Sequence, residues 1–227
     1  ILKALKWIDK YGDIDGDGFI DYQRKRESGL ANQGWKDSHD SVSHENGELA
    51  SFPIALCEVQ AYAYDAKVQA AYMADRMGQP MLADKLRKEA HMLKDHFNEV
   101  FWDEQLGTYV LALDGDKKPC RVISSNAGHS LFSGIATEER AQKTTKVLMN
   151  EDMFTGWGTR TLSSRAARYN PMSYHNGSVW PHDTAMIAYG MSRYGLTHES
   201  MRLMQGLFDA SLFIELQRLP ELFCGFP

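Results

Sequence analysis

The stretch Asn32–Ser41 holds the densest group of side chains in this sequence that could do chemistry. Its ten positions include an indole, two carboxylates, an imidazole and two hydroxyls, but no aliphatic side chain. Burying so many polar groups without partners would cost a few kcal/mol for each, so the stretch is either a solvated loop or the polar floor of a site. Trp35 favours a site, because an indole beside carboxylates is typical of a sugar pocket. We predict that Asp37 is a catalytic carboxylate, with loop capping as the alternative, and that Asp40 is a supporting residue.

Four further polar clusters could converge on Asp37. They lie at residues 126–129, 156–160, 174–183 and 218–223. The sequence has no Gly-x-Ser-x-Gly nucleophile motif and no glycine-rich phosphate loop. His175 and His182 are too loosely spaced for a zinc site, and the cysteines are remote from them. The remaining candidates for chemistry are carboxylates, which are surrounded by Trp, Tyr, Arg, Asn and His. Glycoside hydrolysis requires two carboxylates across the scissile bond.

An acidic turn near the start of the chain resembles a calcium-binding loop. Carboxylates occupy the first, third, fifth and ninth positions of an EF-hand pattern, and a glycine occupies the sixth. These acids are Asp13, Asp15, Asp17 and Asp21. The twelfth position, which should be a bidentate glutamate, is Arg24. We therefore expect a glycine-rich turn without a metal, and a calcium ion held by the acidic turn is the alternative.

Composition and charge exclude several classes of function. The chain has 227 residues, of which 43% are hydrophobic and 24% charged, as in an ordinary globular protein. A net charge of -5 gives no basic footprint, so we expect no nucleic-acid partner. No apolar run approaches about 18 residues, so we expect no membrane span. Three widely spaced cysteines suggest reduced thiols and a cytoplasmic location.

The apolar periodicity predicts paired helices joined by long polar loops. We expect short strands at 19–23 and 109–113, and N-caps at Thr137 and Thr197. The predicted helices cover residues 1–11, 53–77, 80–101, 124–135, 137–150 and 180–194, with a last one from 197. Strands and helices do not alternate, so a doubly wound sheet is excluded. The pattern indicates an all-α toroid of helical hairpins forming a single domain over residues 1–227.

The second of these helices carries a polar stripe. Glu58, Tyr62, Asp65 and Gln69 fall on one face of it. Such a stripe usually faces solvent. The tyrosine favours instead a stripe whose Glu58 end opens into a pocket.

Four blocks of sequence resemble the glycogen-debranching amylo-1,6-glucosidase family, whose relatives include trehalases and glucoamylases. The blocks are GWKDS at 34–38, EVQAY at 58–62, YHNGSVWP at 174–181 and PELF at 220–223. The resemblance implies a six-hairpin (α/α)6 toroid and an inverting mechanism on α-linked glucose. The chain is shorter than a full toroid. Because it also opens inside an amphipathic pattern and stops without a closing element, we expect it to be a piece of a longer protein.

The resemblance also implies roles for individual residues. Asp37 matches the acid that protonates the leaving oxygen, and Glu221 matches the base that activates water. Glu221 could instead be a surface turn, His175 a core imidazole, and Arg24 and Arg160 structural ion pairs. Glu58 could bind substrate or tune the acid. The expected substrate-binding residues are Arg24, Trp35, Glu58, Gln60, Tyr62, His129, Trp157, Arg160, Tyr174, His175, Asn176 and Trp180.

These inferences lead to one main hypothesis and two alternatives. The main one is a debranching-type α-1,6-glucosidase acting on an oligo- or polysaccharide without a cofactor, in which burial beside Trp35 raises the pKa of Asp37 while Glu221 stays ionised. The second is a non-catalytic helical carbohydrate-binding or scaffold protein. The third makes the acidic turn a calcium switch.

Overall fold

The computed structural model of the chain describes residues 1–26 and 28–226. Over these residues the protein is mainly helical, with seven α-helices and four strands of two residues each. The helices are α1 (Leu2–Tyr11), α2 (Cys57–Arg76), α3 (Pro80–Val100), α4 (Asn126–Ser133), α5 (Glu138–Leu148), α6 (Pro181–Arg193) and α7 (Thr197–Leu212). The prediction of an all-α fold made of helix pairs is confirmed.

The strands of the structure form two short antiparallel ladders, and only one of the two predicted strands takes part in them. β1 (Ala55–Leu56) pairs with β4 (Ala112–Leu113), and β2 (Trp102–Asp103) pairs with β3 (Thr108–Tyr109). The predicted strand at 109–113 is therefore split between two ladders. The predicted strand at 19–23 is wrong, because that segment makes only one isolated bridge, between Tyr22 and Ile54.

Local signals placed most helix ends correctly. Pro80 and Pro181 are the first residues of α3 and α6, as expected for a residue that lacks a backbone donor. The Thr137 cap is confirmed, since its side chain accepts a hydrogen bond from the Arg140 backbone nitrogen. The Thr197 cap is wrong, because Thr197 is already the first helical residue and Leu196 precedes α7 without a side-chain cap.

Two glycines bring α4 and α6 into close contact. A Cβ at Gly128 would lie 2.5 Å from a side-chain carbon of Ile187, and one at Gly190 would lie 2.5 Å from the Phe132 backbone nitrogen. No larger residue fits at either place. α4 also packs on α2, and α6 on α7, so α4 and α6 form the centre of the helical layer.

The long polar loops lie directly before the helices of this layer. Residues 24–52 precede β1 and α2, and residues 151–179 precede α6. The first turns of α2, α4 and α6 therefore stand next to the polar clusters that the sequence singled out. None of the helices in residues 1–26 and 28–226 is long and apolar enough to cross a membrane.

Candidate active site

Trp35 is the centre of an aromatic cluster drawn from three parts of the chain. Its ring lies parallel to that of His129 on α4, with 5.7 Å between the centroids. His175, Trp180 and His182 meet the same indole edge-to-face, with centroid distances of 5.5, 5.6 and 5.2 Å. Perpendicular and offset aromatic contacts of this kind are favourable and directional. They fix the orientation of the indole that immediately precedes the Asp37 loop.

Asp37 lies at the solvent edge of this cluster. Its side chain is 46% exposed, and its carboxylate lies 3.9 Å from His175 Nδ1. The next residue, Ser38, places its hydroxyl 2.8 Å from the same nitrogen. The carboxylate is thus held beside the cluster but stays open to solvent, which gives it less burial than the sequence analysis expected.

Glu221 reaches the same place from the far end of the chain. The Tyr174 hydroxyl donates a hydrogen bond of 2.7 Å to its carboxylate. The Tyr174 ring contacts His175 and Trp180, with centroid distances of 4.7 and 4.9 Å. The hydrogen bond to Glu221 raises the pKa of Tyr174, and burial and the charges of Glu221 and Asp37 add to the effect. Both carboxylates therefore act on one phenol.

Backbone contacts hold the Glu221 segment against residues 171–179. Val179 and Phe223 exchange two hydrogen bonds of 2.9 Å. The Gly225 nitrogen donates to the Pro171 carbonyl, and a Cβ at Gly225 would lie only 1.7 Å from the Gly177 carbonyl oxygen. Glycine is required there by this close approach.

His175 is a neutral ring that joins the two halves of the site. It is 2% exposed, and burial lowers its pKa to about 4, assisted by the positive charge of Lys36. The Ser38 backbone nitrogen donates to Nδ1, so this nitrogen is an acceptor and Nε2 carries the proton. His175 therefore holds the Asp37 loop by accepting a hydrogen bond from its backbone. Its burial agrees with the alternative prediction of a core imidazole that bonds the backbone.

Lys36, the residue between Trp35 and Asp37, is a buried cation. It is 4% exposed, and its ammonium donates to the Thr161 carbonyl at 2.5 Å. Burial lowers the pKa of Lys36 to about 8, while the charges of Asp183 and Glu58 act to raise it. Thr161 in turn bonds the backbone at Ser178, so Lys36 ties the Asp37 loop to the segment that carries Tyr174 and His175.

A buried polar network lies beneath the Trp35 ring. His129 Nε2 donates to Asp183 at 2.6 Å, and both side chains are fully buried. His129 Nδ1 then accepts a hydrogen bond from the Tyr62 hydroxyl. Burial acts to raise the pKa of Asp183, but the hydrogen bond from His129, together with the positive charge of Lys36, outweighs it and lowers that pKa. His129 thus supports Trp35 from below and is not open to a sugar.

Glu58 borders this network at the start of α2. It is 1% exposed, and its Oε1 has no hydrogen-bond partner among the residues that the structure describes. Along the predicted stripe, Tyr62 and Asp65 are half-buried and Gln69 is exposed. The stripe therefore runs from solvent into the site, with Glu58 at its buried end.

Three of the expected substrate-binding residues are used structurally. The buried Gln60 amide bonds both backbone groups of Ile20 and the Leu56 carbonyl, so it has little left for a ligand. Arg160 is 3% exposed and donates to the backbone carbonyls of Glu151 and Gly225. The Asn176 amide donates to the Asp40 carbonyl, an intramolecular loop contact. Sugar contacts expected from Gln60 and Arg160 are corrected to structural roles, because their polar atoms are buried and occupied.

Two more expected residues lie apart from the Trp35 cluster. Trp157 contacts Phe213 and lines an apolar pocket with Phe223 and Phe226. Arg24 is exposed in the loop that precedes β1. Among the described residues, neither of them forms a hydrogen bond, an ion pair or a ring contact with Asp37 or the Trp35 cluster.

Comparison with known proteins places this arrangement in a family. Residues 3–215 match the model of the mannosylglycerate hydrolase MGH1-like glycoside hydrolase domain. The chain belongs to this family of glycoside hydrolases. The match covers nearly the whole chain, so it applies to the helical layer and to Asp37 alike.

Solved structures show the fold of this glycoside hydrolase domain. Mannosylglycerate hydrolase from Thermus thermophilus, in complex with glucose, aligns over 76% of this chain and 40% of its own, with a TM-score of 0.63 and 18% identity. Neutral trehalase from Saccharomyces cerevisiae aligns over 77% and 34%, with a TM-score of 0.67 and 14% identity. A protein named sialidase aligns over 99% and 21%, with a TM-score of 0.73 and 14% identity.

These likenesses confirm the six-hairpin toroid as the fold class. The glycoside hydrolase domain described here spans less than half the length of each of the three solved chains. Its seven described helices are fewer than six hairpins need, so the described residues form part of such a toroid.

The sequence carried a weak signal for the residues that were missed. Asp183 and His182 follow Trp180-Pro181 at the start of α6, where acidic residues are common for dipole reasons alone. Lys36 stands between Trp35 and Asp37 in the polar loop. The neighbouring sequence does not distinguish a buried lysine from a solvated one. The role of Lys36 is shown by its hydrogen bond to the Thr161 carbonyl, which is distant in sequence.

The glycoside hydrolase domain also carries the acidic turn at 13–21. Lys117 pairs with Asp15 and Asp17, and the Asp13 carboxylate accepts hydrogen bonds from the backbone nitrogens of two glycines. Burial raises the pKa of Asp21 to about 6. The turn lies outside the Trp35 cluster.

The buried, neutral His175 should give the domain a distinct pH dependence of stability. Its pKa is about 4 in the folded state and about 6.5 in an unfolded chain, so the unfolded state binds more protons between these values. The free energy of unfolding should therefore rise with pH across pH 4–6.5, by up to about 1.4 kcal/mol per unit from this residue. Urea unfolding at pH 4.5, 5.5 and 7 measures the slope, which His175→Gln should reduce.

The exposed His198 offers a matched control for this measurement. Its side chain is 80% exposed, so His198→Gln should leave the slope as in the wild type. Equal slopes for the wild type and His175→Gln would show that His175 is not held neutral by the fold.

Proposed function

We propose that this protein is an inverting glycoside hydrolase of debranching type, acting on α-linked glucose. The observation that carries the proposal is the position of Tyr174. Its hydroxyl bonds Glu221, and the charges of both Glu221 and Asp37 act on it. Two carboxylates from opposite ends of the chain thus stand at one aromatic cluster, as hydrolysis between two carboxylates requires.

Asp37 acts as the general acid in this proposal, and Glu221 as the general base. Asp37 protonates the glycosidic oxygen, and Glu221 takes a proton from the water that attacks the anomeric carbon from the opposite face. This geometry needs the two carboxyl groups about 6.5–9.5 Å apart, with a water between them. No cofactor takes part, because both proton transfers use side chains of the chain itself.

The neighbours of the two carboxylates would position them. His175 accepts hydrogen bonds from Ser38 and holds the Asp37 loop, while the Tyr174 hydroxyl donates a hydrogen bond to Glu221 and orients its carboxylate. Lys36 joins the two loops through Thr161. Among the residues that the structure describes, the Glu221 carboxylate accepts a side-chain hydrogen bond, from Tyr174, whereas the Asp37 carboxylate accepts none.

The aromatic cluster would hold the sugar ring. Trp35 is half-buried and Tyr174 is 47% exposed at the rim, whereas Trp180 is buried and stacks on His175, so it supports the two outer rings. The solved mannosylglycerate hydrolase is in complex with glucose, which supports a hexose at this place. The preference for the α-1,6 linkage rests on the resemblance to debranching enzymes. We also propose that residues 1–227 act as one catalytic domain, in the cytoplasm, on an oligo- or polysaccharide.

A substrate panel tests the proposal. Isomaltose, maltose, trehalose, glycogen limit dextrin and mannosylglycerate are incubated with the purified protein, and proton NMR follows the anomer released. We expect hydrolysis of isomaltose and limit dextrin with initial release of β-glucose. Release of α-glucose would contradict the inverting mechanism, and turnover of mannosylglycerate alone would contradict the debranching specificity. Binding of limit dextrin without any turnover would support the non-catalytic carbohydrate-binding alternative instead.

A further inference from the structure

The acidic turn between α1 and β1 brings three carboxylates to one point. Oxygens of Asp13, Asp15 and Asp21 all lie within 4.8 Å of one another. Oxygens that bind one calcium ion at about 2.3–2.6 Å can be no further apart than about 5 Å. The three carboxylates are thus close enough to share a calcium ion, and they contribute three negative charges.

The buried carboxylate of Asp21 gives independent evidence for a ligand. Asp21 is only 7% exposed. Its Oδ1 accepts a hydrogen bond from the Ile14 backbone nitrogen, whereas Oδ2 is buried without a partner in the part of the chain that the structure describes. A buried charged oxygen without a partner is costly, and Asp21 turns this carboxylate toward Asp13 and Asp15. A cation bound there would satisfy it.

The backbone of the turn is already folded around this point. The two oxygens of Asp13 accept hydrogen bonds from the nitrogens of Gly16 and Gly18, at 2.7 and 3.0 Å. Both glycines have positive φ, of 83° and 88°, which residues with a side chain rarely adopt. Each Asp13 oxygen keeps a second lone pair. Asp13 is therefore oriented before any ion binds.

Lys117 now provides the only counter-charge from outside the turn among the ion pairs of the described residues. It pairs with Asp15, and with Asp17 at 2.6 Å. The Lys117 ammonium balances one of the four nearby negative charges. It forms no ion pair with Asp21. Its side chain is 37% exposed, so it can turn into solvent when an ion takes its place. Lys117 and a cation would therefore compete for Asp15.

We propose that the turn binds one calcium ion through Asp13, Asp15 and Asp21, and that Lys117 competes with this ion. Backbone carbonyls and water complete the coordination, because Arg24 stands where an EF-hand has its bidentate glutamate. The site is structural rather than catalytic. Gln60 of α2 holds both backbone groups of Ile20, so an ion in the turn stabilises the start of α2.

Calorimetric titration of the chelator-treated full chain with calcium chloride tests the proposal. We expect one site with a dissociation constant between about 10 µM and 1 mM, the range of weak sensors and extracellular modules. Calcium at tenfold excess over this constant should raise the melting temperature by about 3–6 °C. Magnesium should bind more weakly, because it requires tighter octahedral geometry.

Two variants with opposite expected effects sharpen the test. Asp21→Asn should weaken calcium binding by about tenfold or more, because it removes a charged ligand, and Lys117→Met should tighten it several-fold, because it removes the competitor. Lys118→Met is the matched control, since Lys118 pairs with Asp116 outside the trio and should leave the affinity unchanged.

The outcomes separate a calcium site from a plain ion-pair cluster. No calcium binding to either the wild type or Lys117→Met would overturn the proposal, whatever the folding of Asp21→Asn. A weaker affinity in Lys117→Met would also contradict it, because it would make the lysine a supporting residue. Neither measurement uses hydrolysis, so the result is independent of the proposed function.

Discussion

Asp37→Asn is expected to lower kcat on isomaltose by about 10²–10⁴-fold, the range attributed to a positioned general acid. The amide keeps the shape of the carboxylate but cannot donate a proton to the leaving oxygen. The fold should be little affected, because the Asp37 side chain is 46% exposed and its nearest charged contact, with His175, is 3.9 Å long. Initial rates and the melting temperature, measured on the same preparation, check both expectations.

A second substrate and a matched variant distinguish acid catalysis from a general disturbance of the loop. α-Glucosyl fluoride has a leaving group that needs little protonation, so Asp37→Asn should retain most of its activity on that substrate. Asp40→Asn, in the same loop, should keep kcat on isomaltose within about threefold, since the Asp40 carboxylate lies near Arg168, at 3.7 Å. Wild-type rates in Asp37→Asn would show that the acid has been misassigned.

Asp183→Asn is expected to be the most destabilising conservative substitution near the site. Asp183 is fully buried, accepts a hydrogen bond from His129, and is the first of the negative charges that act on Lys36. Removing the Asp183 charge leaves the buried Lys36 ammonium without its main opposite charge. Breaking a buried pair in this way lowers the free energy of unfolding by roughly 3–5 kcal/mol. The melting temperature should fall by about 6–20 °C, as measured by calorimetry near neutral pH.

The pH dependence of the same variant provides an internal check. The pKa of Asp183 is lowered in the folded state, so its stabilisation is present above the ordinary carboxyl pKa and is lost as pH falls through the lowered value. The difference between the wild type and Asp183→Asn should therefore shrink in acid. Asp95→Asn is the control, since the Asp95 side chain is 68% exposed. A wild-type melting temperature for Asp183→Asn would show that the buried network does not stabilise the fold.

The helices were predictable because their signals are local. A proline at the first position of α3 and of α6, and glycines at the turns after α1 and α2, mark ends that neighbouring residues decide. The start of α2 was misplaced because residues 55–56 pair with Leu113 and Ala112, which are distant in sequence. A pairing of this kind has no local signal, since it depends on how the two segments are brought together.

The aromatic residues of the site were predictable from the sequence, but the buried polar residues that hold them in place were not. Trp35, His175 and Trp180 stand in polar loops where an aromatic ring is conspicuous, and the structure brings them together. Lys36 and Gln60 could not be assigned from sequence, because each looks like an ordinary polar residue until its burial is known. Burial of a polar group depends on the whole fold, whereas loop composition can be read directly.

The close contact of Gly225 with Gly177 has a mechanical consequence for Glu221. Glu221 follows α7 in the chain, yet its segment is fastened at Phe223 and Gly225 to residues 171–179. Residues 213–220 connect α7 to the carboxylate along the chain, whereas the hydrogen bonds at Phe223 and Gly225 make a shift of residues 171–179 move the carboxylate with them. Glu221 therefore moves with the loop that carries Tyr174 and His175, and the spacing between its carboxylate and that of Asp37 is set by how that loop sits against the Asp37 loop.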